Sequence, residues 1–345
     1  MTKTLVPALA AGMIATLGLP AAAQVVEGPN VEWNISTWGN PRAFTAGIEK
    51  VAELVGERTE GRFTITVHYG EALSAARENL DGIQIGAFQG AMFCNFYHPG
   101  KNPAWMVLTM PFLPLGDWDV SVRVREALMQ HPALVADMER WGAMPYLSAL
   151  LPQYEFLGRG EPPVELDGWE SLRVRAGGGL GDAMATLGAT LTTVPATEVY
   201  TGIERGTMDA ASFPYTYSHA AYQIHTITDW FTSNMQPGTT ECGTVLAKRA
   251  WEALPEAYRE LLMDVKDEAY EAQVQAYIDI DEVNLPMFRE RLTEIVYSDE
   301  QLRAFQERAG RPVWDKWVGD NQDRFDAQGL LDFTLAEIEK AQAAD

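Results

Sequence analysis

Leu172–Pro214 reads LRVRAGGGLGDAMATLGATLTTVPATEVYTGIERGTMDAASFP, and the rhythm of this stretch decides the fold class. Leu172–Ala176 alternates apolar and charged residues, as a strand does. Three glycines follow, and the apolar residues of Leu180–Leu187 then recur at helical spacing. Thr190–Val194 is a second strand pattern, Thr197–Glu204 a second helix, and Met208–Phe213 a third strand. Parallel strands need a crossover connection between them, and short helices supply it, so the stretch predicts an α/β arrangement.

The same rhythm recurs near the amino terminus. Ala76–Phe93 aligns with Ala196–Phe213 at an offset of 120, and seven of eighteen positions agree. The matches are Ala76/Ala196, Glu78/Glu198, Gly82/Gly202, Ile83/Ile203, Gly86/Gly206, Ala91/Ala211 and Phe93/Phe213. Each copy reads as helix, left-handed glycine cap, strand and aromatic loop. Around them, Glu32–Thr37 and Phe63–Tyr69 read as strands, and Phe44, Ile48, Val51 and Val55 fall on one helix face. From Pro255 onward the pattern changes to long helices, with Leu261, Val265, Ala269 and Val274 on one side. The expectation is two similar lobes: residues 24–150 with about 240–270, and 151–239 with about 271–345. Open α/β sheets bind ligands beyond the carboxyl ends of their strands, which makes Phe93–His98 and Phe213–Tyr217 cleft candidates.

The chain has 345 residues and a formal charge of −22. That balance argues against nucleic acid as a partner, since phosphate recognition needs a basic footprint. Met1–Ala23 reads MTKTLVPALAAGMIATLGLPAAA: a lone Lys3, an apolar run, then small residues ahead of Gln24. It is expected to be a cleavable export signal, too short and proline-punctuated for a membrane anchor, which places the mature protein in the periplasm. Cys94 and Cys242 are the only cysteines, and the reading favours two buried thiols over a disulfide. The five histidines form no metal-ligand spacing.

Few residues offer chemistry. Arg173 and Arg175 share one face of their strand, and only Arg175 nears its carboxyl end. A guanidinium there can grip a carboxylate with two parallel hydrogen bonds, and Gly177-Gly178-Gly179 would let backbone approach a ligand. Asp182 stands where a dinucleotide-binding loop needs its last glycine, which argues against a nucleotide. Trp38, Asn95, Tyr97, Phe213 and Tyr215 occupy loops at strand ends and are candidate ligand walls.

The stretch Leu172–Pro214 resembles the extracytoplasmic solute-binding proteins of TRAP transporters, the DctP type. The residues carrying the resemblance are Leu172–Arg175, Leu187-Gly188-Ala189, Pro195, Glu198-Val199-Tyr200, Gly206 and Asp209. Ala72-Leu73, Arg77-Glu78 and Gln84-Ile85-Gly86 extend it into the amino-terminal half. The resemblance implies a two-lobed periplasmic receptor, a monomer, that closes on a small organic acid and presents it to membrane permease subunits. In it, Arg175 matches the family's carboxylate-gripping arginine. The family's common Glu-Asn-Pro becomes Ser212-Phe213-Pro214, and Gln153, Tyr154 and Glu155 occupy the region of the second arginine of sialate and dicarboxylate binders. These departures imply a monocarboxylate, aromatic or 2-oxo. Gln153, Arg175, Phe213 and Thr240-Glu241-Cys242 look closest to the 2-oxo acid branch. There a divalent or sodium ion, here at Gln153 and Glu241, can assist the ligand without any other cofactor. Ser212, standing where that branch often has Glu, weakens such an ion site.

The competing expectation is an exported hydrolase acting on a small carboxylate. It would need a nucleophile with a base, or paired carboxylates drawn from Glu155, Glu198 and Glu241.

Overall fold

A computed structural model describes residues 25–344. The export segment and its cleavage site before Gln24 lie outside the described residues. The first four strands are β1 (Val31–Ser36), β2 (Phe63–His68), β3 (Gly90–Cys94) and β4 (Ala143–Ser148). The next five are β5 (Tyr154–Gly158), β6 (Arg173–Arg175), β7 (Thr190–Thr192), β8 (Ala210–Pro214) and β9 (Trp230–Thr232). Finally come β10 (Cys242–Ala247) and β11 (Thr293–Ile295).

They build two sheets, ordered β2-β1-β3-β10-β4 and β11-β9-β5-β8-β6-β7. In the first, β1 runs parallel to β2 and β3, while β10 is antiparallel to β3 and β4. In the second, β6 is parallel to β7 and β8, and β5 is antiparallel to β8 and β9. The expected mixed α/β class in two sheets is therefore found, finished by long helices such as Lys266–Arg291.

The internal match has a packing basis. Gly86 caps its helix at φ 79° and Gly206 follows its own at φ 68°, both left-handed. A Cβ on Gly82 would lie 2.3 Å from the Phe88 ring, and one on Gly202 would lie 2.4 Å from Met208. Phe88 and Met208 are themselves equivalent positions of the two copies, so each helix touches its strand lead-in through the same glycine. The strands that follow, β3 and β8, are buried along their whole length because each is central in its sheet.

β10 decides a second matter. It returns from the second sheet into the first and sets Cys242 directly opposite Cys94 on β3. The two cysteines are bonded, with Cα atoms 4.0 Å apart across 148 residues of sequence. This corrects the expectation of two free thiols: sequence distance carries no information about a pair that strand register creates.

One large core underlies the first sheet, and two smaller clusters cover the faces of the second. Leu330, Leu331 and Ile338 of the last helix, Ala327–Gln342, belong to the first core, and that helix packs on the helix Trp118–Met129. The expected division gave residues from about 271 onward to the second lobe; the apolar face of this helix takes it to the first.

Candidate functional site

Of the crossings between the sheets, the one after β4 and the one before β10 run side by side. Ala149 N–H donates to Cys242 O at 2.8 Å and Tyr154 N–H to Gly238 O at 2.8 Å. Beside them a narrow cavity opens where strands of both sheets end. Trp38, Arg42 and Phe44 enter from the segment after β1, and Cys94, Phe96 and Tyr97 from β3 and its continuation. Arg175, Phe213, Tyr217 and Tyr222 come from the second sheet, with Leu151 and Tyr154 from the crossing.

Arg175 and Arg173 show how position along one strand decides a role. Arg173 is exposed, and its Nε and Nη2 donate to Asp209 at 2.9 and 2.5 Å. Arg175 is 1% exposed and has no ion-pair partner among the described residues. Its Nε and Nη2 donate to Val194 O at 3.2 and 3.1 Å, and Nη1 donates to Ser212 O at 2.7 Å. A guanidinium has five N–H groups, so one remains on Nη1 and one on Nη2, the pair that fits a carboxylate. The Phe213 and Phe96 rings lie 4.5 and 5.1 Å from its carbon, which offsets part of the cost of burying the charge. Ser212 Oγ donates back to Arg175 O at 3.0 Å, so Ser212 holds the arginine and does not line the cavity.

The walls are aromatic with polar tips. The Trp38 ring centroid lies 5.4 Å from that of Tyr97, and Phe213 stacks on Tyr222 at 5.8 Å. Tyr97 Oη accepts a hydrogen bond from Ala196 N–H at 2.8 Å, which leaves its own proton free to donate. Burial pushes the Tyr97, Tyr154 and Tyr217 hydroxyls above the ordinary phenol range, and Arg175 opposes this at Tyr97 and Tyr154. They are neutral donors at physiological pH.

Of the expected site residues, the fold brings Trp38, Tyr97, Arg175 and Phe213 to one cavity. Asn95 is elsewhere: its Nδ2 donates to Trp105 O at 2.9 Å and its Oδ1 accepts from Phe96 N–H at 2.8 Å. Gln153 meets Tyr215 through backbone, its carbonyl accepting Tyr215 N–H at 3.2 Å, and neither side chain lines the cavity. Glu241 is buried and accepts from Arg125 Nε at 2.7 Å. Burial raises its carboxyl above the ordinary range while Arg125 opposes the rise. With that carboxylate taken and Gln153 elsewhere, the two do not fit a shared cation. Among the described residues no cluster of metal-ligating side chains forms. The triple glycine also serves another partner: a Cβ on Gly177 would lie 2.5 Å from Phe96, and one on Gly179 would lie 2.4 Å from Thr109 O. The close approach is to protein.

Arg42, Tyr154 and Tyr222 escaped sequence reasoning, whereas Tyr217 ends the candidate stretch Phe213–Tyr217 and does line the cavity. Arg42 had a signal, since it follows the first strand's carboxyl end just after Trp38. Tyr222 had none, being one polar aromatic at the end of a helix. No Asp, Glu or His lines the cavity among the described residues. Glu155 is buried, accepting from Thr232 and the amides of Met235 and Gln236, and Glu198 is exposed. The paired carboxylates of the hydrolase alternative do not meet.

Comparison with known proteins agrees with this geometry. A monocarboxylate 2-oxoacid-binding periplasmic protein of Nostoc is 26% identical over 299 residues, 81% of this chain and 77% of that protein. A TRAP solute-binding protein of Rhodoferax ferrireducens, solved with copurified benzoate, superposes with TM-score 0.80 at 18% identity, over 91% of this chain and 99% of its own. Another from Desulfovibrio salexigens, with bound orotic acid, gives 0.81 at 20% identity over 90% and 100%. The sequence profile of bacterial extracellular solute-binding proteins of family 7 (DctP) matches residues 36–320. The chain belongs to that family.

Proposed function

We propose that this protein is an exported receptor that captures a small organic acid by one carboxylate and delivers it to the membrane subunits of a TRAP-type transporter. The observation that carries the reading is Arg175, a buried guanidinium with no acidic partner among the described residues and two N–H groups outside its backbone bonds. A desolvated cation without a counter-charge is costly, and an anionic ligand relieves that cost. Trp38, Tyr97, Phe213 and Tyr222 then face the ligand's apolar body, which favours an aromatic or 2-oxo monocarboxylate. The relatives named above, a 2-oxoacid binder and receptors holding benzoate or orotic acid, support this class.

In this reading residues 1–23 direct export to the periplasm and are removed, and the receptor works as a monomer. The lobes are the two sheets with their helices, the carboxyl-terminal helix going with the first. Among the described residues no helix is long and apolar enough to cross a membrane. Ligand binding shifts an open–closed equilibrium, because both lobes contribute walls to one cavity.

Calorimetry of the wild type and Arg175→Ala against benzoate, pyruvate and longer 2-oxo acids tests the proposal. Binding by the wild type and its loss in a folded variant is the expected result. Unchanged affinity in Arg175→Ala would sink the assignment, and chemical conversion of a bound acid, followed by proton NMR, would favour an enzyme.

A further inference from the structure

Arg42 is the second guanidinium of the cavity, and it too lacks an acid. Its Nη1 donates to Trp38 O at 2.9 Å and to Asn40 O at 2.7 Å, which clamps the group onto its own loop. Its Nε is buried without a partner among the described residues, and the guanidinium's hydrogen bonds there are those two from Nη1. Nε and Nη2 form the side edge of the guanidinium, whose two parallel N–H groups match a planar pair of oxygens. No carboxylate of the described residues lies within ion-pair distance. Glu49, on the following helix, accepts from Thr45 and Tyr69, and Glu71 accepts from Ala76 N–H at 2.8 Å.

The opposing lobe meets Arg42 with a group in the same condition. The Tyr222 ring lies 5.6 Å from the Arg42 guanidinium carbon, and Tyr222 Oη is buried and unpartnered. A Cβ built on Gly39 would lie 2.7 Å from Tyr222 Oη and 2.9 Å from Arg42 Nη1, so both reach the same point of the wall. Phe213 stacks on Tyr222, and Arg175 sits over Phe213. Ring contacts thus lead from Arg175 through Phe213 and Tyr222 to Arg42, one arginine anchored in each lobe.

We propose that Arg42 is a second ligand-binding residue, which selects organic acids bearing a further acceptor group, a carbonyl or carboxylate, at the end away from Arg175. The proposal rests on the reading of the cavity as an organic-acid site. A ligand with one carboxylate and no other oxygen would close the lobes over an unpaired second guanidinium, which is unfavourable. A contact with the Tyr222 face alone would act as a latch between lobes but leave Nε and Tyr222 Oη unsatisfied.

The test is calorimetry on the wild type, Arg42→Gln and Tyr222→Phe, with melting curves as the control for folding. The probes are benzoate, 3-acetylbenzoate and isophthalate, together with butyrate and succinate. The wild type is expected to bind the acids with a second acceptor at least about tenfold more tightly than their plain counterparts. Arg42→Gln is expected to erase that preference, so that each acid with a second acceptor binds no more than about twofold more tightly than its plain counterpart. Equal wild-type affinity within each series, or equal weakening of all acids in Arg42→Gln, would overturn the proposal; the latter would make Arg42 a latch only. Folded wild-type protein that binds none of the acids would overturn the organic-acid reading itself, and Arg42's role with it.

Discussion

Tyr97 and Glu155 illustrate two ways in which one buried polar group controls this protein. Tyr97 Oη accepts the Ala196 amide across the cleft, so removing the oxygen strands a buried donor. An unsatisfied buried group costs about 1–3 kcal/mol, and Tyr97→Phe is expected to weaken ligand binding roughly five- to a hundredfold by calorimetry. Stability in the absence of ligand should move less than affinity. Glu155 titrates: burial lifts its carboxyl to about 7 against bonds from Thr232 and the amides of Gln236 and Met235, which favour the anion. In the unfolded chain the same group ionises near 4.5. Between these values the folded state holds the proton and the unfolded state has lost it. Stability therefore falls as pH rises from about 5 to about 7.5 and then levels. The unfolding free energy from urea melts is expected to drop across that window by on the order of 2 kcal/mol, and Glu155→Gln should flatten the slope. A slope unchanged in Glu155→Gln would assign the titration to another group.

At the scale of elements, β3 and β10 form the seam of the first sheet. Their disulfide closes a loop of 148 residues and its sulfurs lie at the cavity wall. Replacing both cysteines by serine is expected to lower unfolding free energy by about 2–5 kcal/mol in urea melts. Reductant should reproduce the loss in the wild type and add nothing to the double variant. The matched helix–strand pairs were legible because their signals are local. Gly86 and Gly206 mark left-handed caps, and Gly82 and Gly202 recur where helix meets strand lead-in. The strand bounds were less so. In the first copy β3 begins only at Gly90, after the chain has turned out of the Gly86 cap. Asn95 was legible as a strand-end residue but not as one that spends both ends of its amide on local backbone.

For the whole molecule, the balance of −22 describes the outer surface, while the cavity holds two guanidinium groups and no carboxylate among the described residues. Hydrogen bonds that tie the halves include Arg77 to Thr193 O at 2.7 Å, Ala196 to Tyr97 at 2.8 Å and Gly179 to Thr109 at 2.9 Å. The first is exposed, so Arg77→Ala is expected to shift the population toward open forms and lower affinity by less than about tenfold. Small-angle scattering should show the radius of gyration shrinking on ligand addition, with a larger starting value in the variant. A radius indifferent to ligand in both proteins would count against hinge closure. By itself the sequence determined the α/β class, the two similar halves and Arg175 as the arginine at a strand end, because periodicity, caps and strand polarity are properties of neighbours along the chain. Only the tertiary structure decided that Cys94 meets Cys242, that Glu241 is spent on Arg125, and that Arg42 and Tyr222 join Arg175 at one wall. Those contacts are set by sheet register and lobe packing, which bring together residues that no local pattern relates.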